Sequence, residues 1–175
     1  GASLGIPYKN AFQLVPKTLG GEPVRYVILD DESKPDNAAK NARKFVAEDK
    51  VDAIMGSNGV PSAIAMAQVA GETKTPMIAL TPMPSLPPER HAWTFVIPQP
   101  TELMMSAVAQ NMKSRGIKTA GYIGFSDSWG DLMYNAVTAL APQYGYSVVT
   151  NERYGRADTS VAGQVLKIVA AAPAS

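Results

Sequence analysis

Val51-Asp-Ala-Ile-Met-Gly-Ser-Asn-Gly-Val-Pro-Ser-Ala-Ile-Ala65 reads as a short buried strand, a glycine-punctuated turn and the start of a helix. Ala53, Ile54 and Met55 form an apolar run too short for a helix, and Gly56 and Gly59 permit backbone geometries that other residues resist. Pro61 suits a first helical turn, where its missing N–H costs nothing. In a parallel α/β sheet such a turn lies at the carboxyl end of a strand, where ligands bind, and a helix N-terminus offers free N–H donors to an anion. A carboxylate is the simplest guest. Equally, every strand-to-helix unit has such a turn, and most bind nothing, so the rest of the chain must decide.

Working outward, strand and helix patterns alternate. Pro23-Val-Arg-Tyr-Val-Ile-Leu29 has the composition of a strand. A helix is expected over residues 37–49, apolar at Ala38, Ala42, Phe45 and Val46, with basic Lys40, Arg43 and Lys44 on its solvated side and Asp36 as its cap. A second helix is expected over 61–72 and further strands over 77–80 and 93–97. Such alternation implies parallel crossovers and an α/β fold. Before these, Tyr8, Phe12, Leu14 and Val15 recur at helical spacing up to Gly20-Gly21, and the residues ahead of them resemble a strand-to-helix loop whose strand is missing.

Thr81-Pro-Met-Pro-Ser-Leu-Pro-Pro88 is the second informative loop, because four prolines fix the backbone and leave Thr81 and Ser85 as hydroxyls on a stiff frame. Beside them Met83 and Leu86 suit a ligand with an acid end and an apolar body, although a Pro-rich turn also serves simply to brace a connection. Pro98-Gln-Pro100 marks a boundary between a first lobe, residues 1–98, and a second, residues 99–175. There Thr101 caps a helix to Arg115, whose Met104, Met105 and Met112 read as core filling. A strand over 119–124 leads into Phe125-Ser-Asp-Ser-Trp-Gly130, which places two aromatics and two hydroxyls at a strand's exit. Asp131 to Tyr144 reads as a helix, Ser147 to Arg153 as a strand, and Asp158 or Thr159 as the cap of a helix through Val169.

Composition narrows the function. Sixteen basic and fifteen acidic residues, with no dense Lys/Arg block, argue against nucleic acid. No apolar run approaches eighteen residues, and neither a charged nor an apolar leader opens the chain, so if the protein is exported its signal is expected to be gone from this sequence. The absence of Cys excludes thiolate metal sites, a lone His91 forms no cluster, and the Asp30-Asp31-Glu32 run reads as helix-preceding acid rather than as a metal site. No cofactor or metal is expected. An enzyme of doubly wound fold would need Asp30 or Asp127 as acid or base, but a nucleophile needs a base within hydrogen-bond reach, no Cys exists and the lone His91 sits in a polar turn.

Gly-Ala-Ser-Leu-Gly5, Asp30-Asp31 with the Pro35 helix start, Asp52-Ala-Ile-Met-Gly56, Pro76-Met-Ile-Ala-Leu-Thr-Pro82 and Gly121-Tyr-Ile-Gly-Phe-Ser-Asp-Ser-Trp-Gly130 occur in an order that resembles the periplasmic solute-binding proteins of ABC transporters, type I class, in the branched-chain amino acid and aromatic acid branch. The resemblance covers essentially the whole chain. It implies two Rossmann-like α/β lobes with parallel sheets that close by a hinge over a small molecule, a periplasmic location, and delivery to a membrane permease. By position it places ligand contacts on Ser3 and Leu4, on Asn58, Gly59 and Val60, on Thr81, Met83, Pro84 and Ser85, and on Phe125 and Trp129 of the second lobe. Val60 stands where the family often has Ser, and Pro84 lacks an N–H, so the usual grip on an amino acid's α-amino and α-carboxyl groups is altered. Prolines and methionines in place of hydroxyls favour an aromatic acid over a branched-chain or other aliphatic amino acid. A ligand-sensor domain of a regulator shares the fold and stands as a further alternative. Family members are about twice this length, so the chain is expected to be a fragment that another segment or chain completes.

Overall fold

The computed structural model describes residues 2–171, and the side chains of residues 4–171. The chain divides after Pro98 into two compact units, Gly1–Pro98 and Gln99–Ser175. Both are α/β.

The first unit opens with α1 (Ala2–Ala11), earlier than the spacing of Tyr8 to Val15 indicates. Bonds from Phe12 N to Tyr8 O, Gln13 N to Asn10 O and Leu14 N to Ala11 O tighten its end, and Pro16 disfavours helical geometry in the residue before it. A two-residue antiparallel ribbon, β1 (Thr18–Leu19) and β2 (Glu22–Pro23), then folds back around Gly20 and Gly21, both at positive φ. The strand expected over 23–29 is not formed. Val24 N reaches Lys17 O, but residues 25–29 enter no ladder among the described residues, because β-propensity is realised only against a neighbouring strand.

α2 (Pro35–Ala47) follows, with Pro35 rather than Asp36 at its entry; Lys34 is the N-cap, and no side chain caps it. β3 (Ile54–Met55), α3 (Val60–Thr73), β4 (Met77–Ala79), the short α4 (Pro88–His91) and β5 (Thr94–Val96) complete the unit. The three strands form a parallel sheet in the order β3-β4-β5, with Ile54 opposite Met77 and Met77 opposite Thr94. Ala38 and Ala42 of α2 meet Ala63, Ala67 and Ala70 of α3 over Ile54 and Met77, all buried. Alanines let the helices close on the sheet, which the small-residue pattern of the sequence anticipates.

The second unit contains α5 (Thr101–Ser114), β6 (Thr119–Phe125), α6 (Ser128–Tyr144), β7 (Ser147–Tyr154) and α7 (Ala162–Ala170). Here two expected caps fail. Thr101 lies inside α5, whose N-cap is Pro100, and Asp158 turns back to accept from Gly155 N at 2.7 Å, leaving Val161 to cap α7. A capping side chain must stand one residue outside the helix on non-helical backbone, and neither does. β6 and β7 pair in parallel through seven residue pairs from Thr119–Ser147 to Phe125–Tyr154. Ala109 and Met112 of α5, Val137 and Ala141 of α6, and Tyr146 form the core, with Met105 packed at its margin.

Candidate functional site

In the first unit the exits of β3 and β4 lie at one end of the sheet, because the strands are parallel and adjacent. β3 leads into Gly56-Ser57-Asn58-Gly59 and then α3. Gly56 has φ of 138° and Met66 Cε would lie 3.3 Å from an added Cβ, so only glycine fits there without strain. Gly59 does not need to be glycine: its φ is −102°, and nothing lies within 4 Å of an added Cβ. Gly59 is the N-cap of α3 and, having no side chain, leaves the first-turn N–H groups uncapped. Val60 is buried, at 1% exposure. Asn58 Oδ1 is buried and has no hydrogen-bond partner among the described residues. Ser57 donates to Asp31 Oδ2 at 2.8 Å, tying this loop to the one that enters α2.

After β4, Thr81 is buried at 5% exposure. Met83, Pro84 and Ser85 line a cavity of about 430 Å³ with Leu86, His91, Thr94 and Val96. Thr94 Oγ1 is buried without a partner among the described residues. Asn58, Gly59, Val60 and Thr81 lie outside that cavity, so the predicted first-lobe residues divide between the α3 entry and the proline loop. Leu4, in α1, lines neither this cavity nor that of the second unit and is half exposed; the Ser3 side chain lies outside the described residues.

In the second unit Phe125 and Trp129 both line a mainly apolar groove of about 420 Å³, with Met105, Val108, Met133 and Tyr154 among its walls. The sequence reading starts α6 at Asp131, three residues late. Asp127 is the N-cap, its Oδ1 accepting from Trp129 N at 3.0 Å and Gly130 N at 3.2 Å. A Cβ on Gly130 would lie 1.8 Å from Phe125 O, so the loop closes only around glycine. Tyr122 Oη donates to Gly130 O at 2.8 Å, and burial pushes its phenol pKa up, against the pull of Arg153. Arg153 and Arg156, which the sequence reading passed over, both reach this loop; Asp-Ser-Trp-Gly with a later Arg pair carries no recognisable spacing.

Among the described residues no group of three or more His, Asp or Glu side chains could hold a metal, and no helix is long and apolar enough to cross a membrane.

The family model for periplasmic binding proteins matches residues 1–175. The chain belongs to the periplasmic binding protein family. This periplasmic binding protein is similar to an extracellular ligand-binding receptor from Rhodopseudomonas palustris HaA2, on which 98% of the chain superposes with a TM-score of 0.95 at 49% identity. Rp1789 of Rhodopseudomonas palustris strain CGA009 gives the same TM-score and coverage at 48% identity. The chain spans about half the length of each, 48%. The fold is also that of an ABC transporter solute-binding protein from Rhodopseudomonas palustris BisB5 in complex with 3,4-dihydroxybenzoic acid, with a TM-score of 0.86, 23% identity, and coverage of 98% of this chain and 48% of that one. No curated protein matches. A family of binding proteins sets aside the doubly wound enzyme built on Asp30 or Asp127.

Proposed function

We propose that this periplasmic binding protein contributes part of a solute receptor for an ABC importer, and that its ligand is a small aromatic carboxylate. The observation that carries the reading is the entry to α3, where no side chain caps the helix N-terminus and the half-buried Asn58 stands beside it. Uncapped N–H donors with a partial positive charge suit a carboxylate. Thr81 from the adjacent strand exit adds a hydroxyl, and Ser85, Met83 and Pro84 shape the neighbouring surface. Within the second unit, Phe125 and Trp129 line an apolar groove whose flat surface suits an aromatic ring. A neighbour of the same fold holds 3,4-dihydroxybenzoic acid, a ligand with these two ends.

The receptor would work in the periplasm, hand its ligand to a membrane permease, and need the remaining half of the fold from further polypeptide, in keeping with the 48% coverage of its relatives. Closure of two lobes about a hinge would bury the ligand without covalent chemistry.

A thermal-shift series on the full-length polypeptide bearing this sequence tests the reading, because a ligand that binds only the folded state raises Tm with its concentration. Benzoate and 3,4-dihydroxybenzoate are expected to raise it. A rise with leucine, isoleucine or valine alone would keep the receptor and replace its ligand class; no rise with any of them would favour a regulator's sensor domain.

A further inference from the structure

Resting on the receptor reading above, we propose that Arg153 and Arg156 are positioning residues that hold Phe125 and Trp129 in their ligand-ready arrangement before any ligand arrives. Arg153, near the end of β7, and Arg156, just beyond it, each contact the segment that joins β6 to α6. Arg153 Nη1 donates to Phe125 O at 2.9 Å and pairs with Asp131 Oδ1 at 3.1 Å, while its Nε donates to Asn151 Oδ1 at 2.6 Å. Its guanidinium also lies 5.2 Å from the Tyr122 ring centre and 5.3 Å from that of Tyr134, two rings that are themselves 5.3 Å apart and so flank it from one side.

Arg156 works on the same loop through a different atom set. Its Nε donates to Asp127 Oδ2 at 2.6 Å, and its guanidinium lies 4.2 Å from the Phe125 ring centre. The other oxygen of Asp127 holds Trp129 N and Gly130 N. One arginine thus fixes Phe125 by its carbonyl, the other fixes its ring and, through a single carboxylate, the backbone that carries Trp129.

Exposed ion pairs add little to folding, and Asp131 is 67% exposed at its side chain. The Arg156–Asp127 pair, at 44% and 20% exposure, also supports the α6 cap, and aromatic side chains already held in place spare the ligand the cost of ordering them.

The test uses the full-length polypeptide with Arg153→Met, Arg156→Met and Arg156→Lys, benzoate and 3,4-dihydroxybenzoate as probes, and titration calorimetry well below each variant's Tm. Labelling with 5-fluorotryptophan, assigned by the signal lost in Trp129→Phe, reports the mobility of Trp129 without ligand. The two Met variants are expected to bind about tenfold more weakly. Their Trp129 resonance broadens or splits without ligand and sharpens on saturation, and Arg156→Lys, which keeps a cation over Phe125, recovers part of the affinity. Unchanged Kd and an unchanged Trp129 resonance in the Met variants would overturn the proposal, as would a loss of binding matched by a loss of folded protein alone. Should Arg153→Met not fold, the more exposed Arg156 decides the matter by the same two readouts. If the parent binds neither acid, the ligand reading fails, and the Trp129 resonance in the unliganded variants still decides the positioning role.

Discussion

Ser57 Oγ donates to Asp31 Oδ2 at 2.8 Å across 26 residues of sequence, and the other oxygen of Asp31 accepts from Ser33 N at 2.8 Å. One carboxylate thereby fastens the loop before α2 to the loop before α3. The Ser57→Ala and Asp31→Ala pair is expected to show a coupling of about 1 kcal/mol in a double-mutant cycle read by urea unfolding of the full-length protein. Additive effects would mean that the bond contributes nothing net.

The α3 entry predicts an opposition between stability and binding. Gly59→Ser introduces a capping hydroxyl where nothing lies within 4 Å, and should raise stability by a few tenths of a kcal/mol. The same hydroxyl occupies donors that the carboxylate needs, so affinity for benzoate should fall severalfold in titration calorimetry. A gain in both quantities would place the acid elsewhere.

Gly130→Ala makes the complementary case. An added Cβ would meet Phe125 O at 1.8 Å and Arg153 Nη1 at 2.7 Å, and backbone cannot withdraw as a flexible side chain can. Expected is a loss of about 3 kcal/mol or more, in the range of severe packing errors. A melting temperature within 2 or 3 °C of the parent, roughly 1 kcal/mol at most for a protein of this size, would show that the loop can reopen.

Trp129→Ala should weaken binding of an aromatic acid by about ten- to a hundredfold while changing Tm little, since its side chain is only half-buried and lines the groove. Titration with benzoate checks this, and an unchanged Kd would remove Trp129 from the site.

Burial raises the phenol pKa of Tyr122 and, likewise, of Tyr146, whose hydroxyl donates to Val137 O. A raised folded-state pKa gives stability that is fully present below the unfolded value of about 10 and is lost as pH rises through the folded value. Unfolding free energy should therefore decline as pH rises above about 10, and less steeply in Tyr122→Phe and Tyr146→Phe. Equal slopes would show that neither phenol resists ionisation in the folded protein.

The architecture was legible wherever periodicity and partners lie close in sequence. Ile54–Met55, Met77–Ala79 and Thr94–Val96 stand at apolar runs, and the helices on either side of the first strand follow the apolar stripes of Ala38 and Ala42 and of Ala63 and Ala67. The segment 23–29 misled because strand composition is necessary but a ladder needs a second strand. Caps at Asp36, Thr101 and Asp158 misled because position one residue inside or outside the helix decides the matter, and side-chain chemistry does not reveal it. At the candidate site the strand-exit loops were readable from Gly, Pro and aromatic punctuation. The arginines were not, since their contacts with Phe125 and Asp127 join segments 28 and 29 residues apart.

The length of the β6–β7 ladder has a kinetic corollary. Its seven pairs enclose α6 within one uninterrupted stretch, Thr119 to Tyr154, whereas strands of the first unit run for two or three residues. Amide protons along β6 and β7 should consequently outlast those of β3, β4 and β5 in deuterium exchange, and a chain emerging from the ribosome would secure its second unit's sheet without waiting for distant sequence.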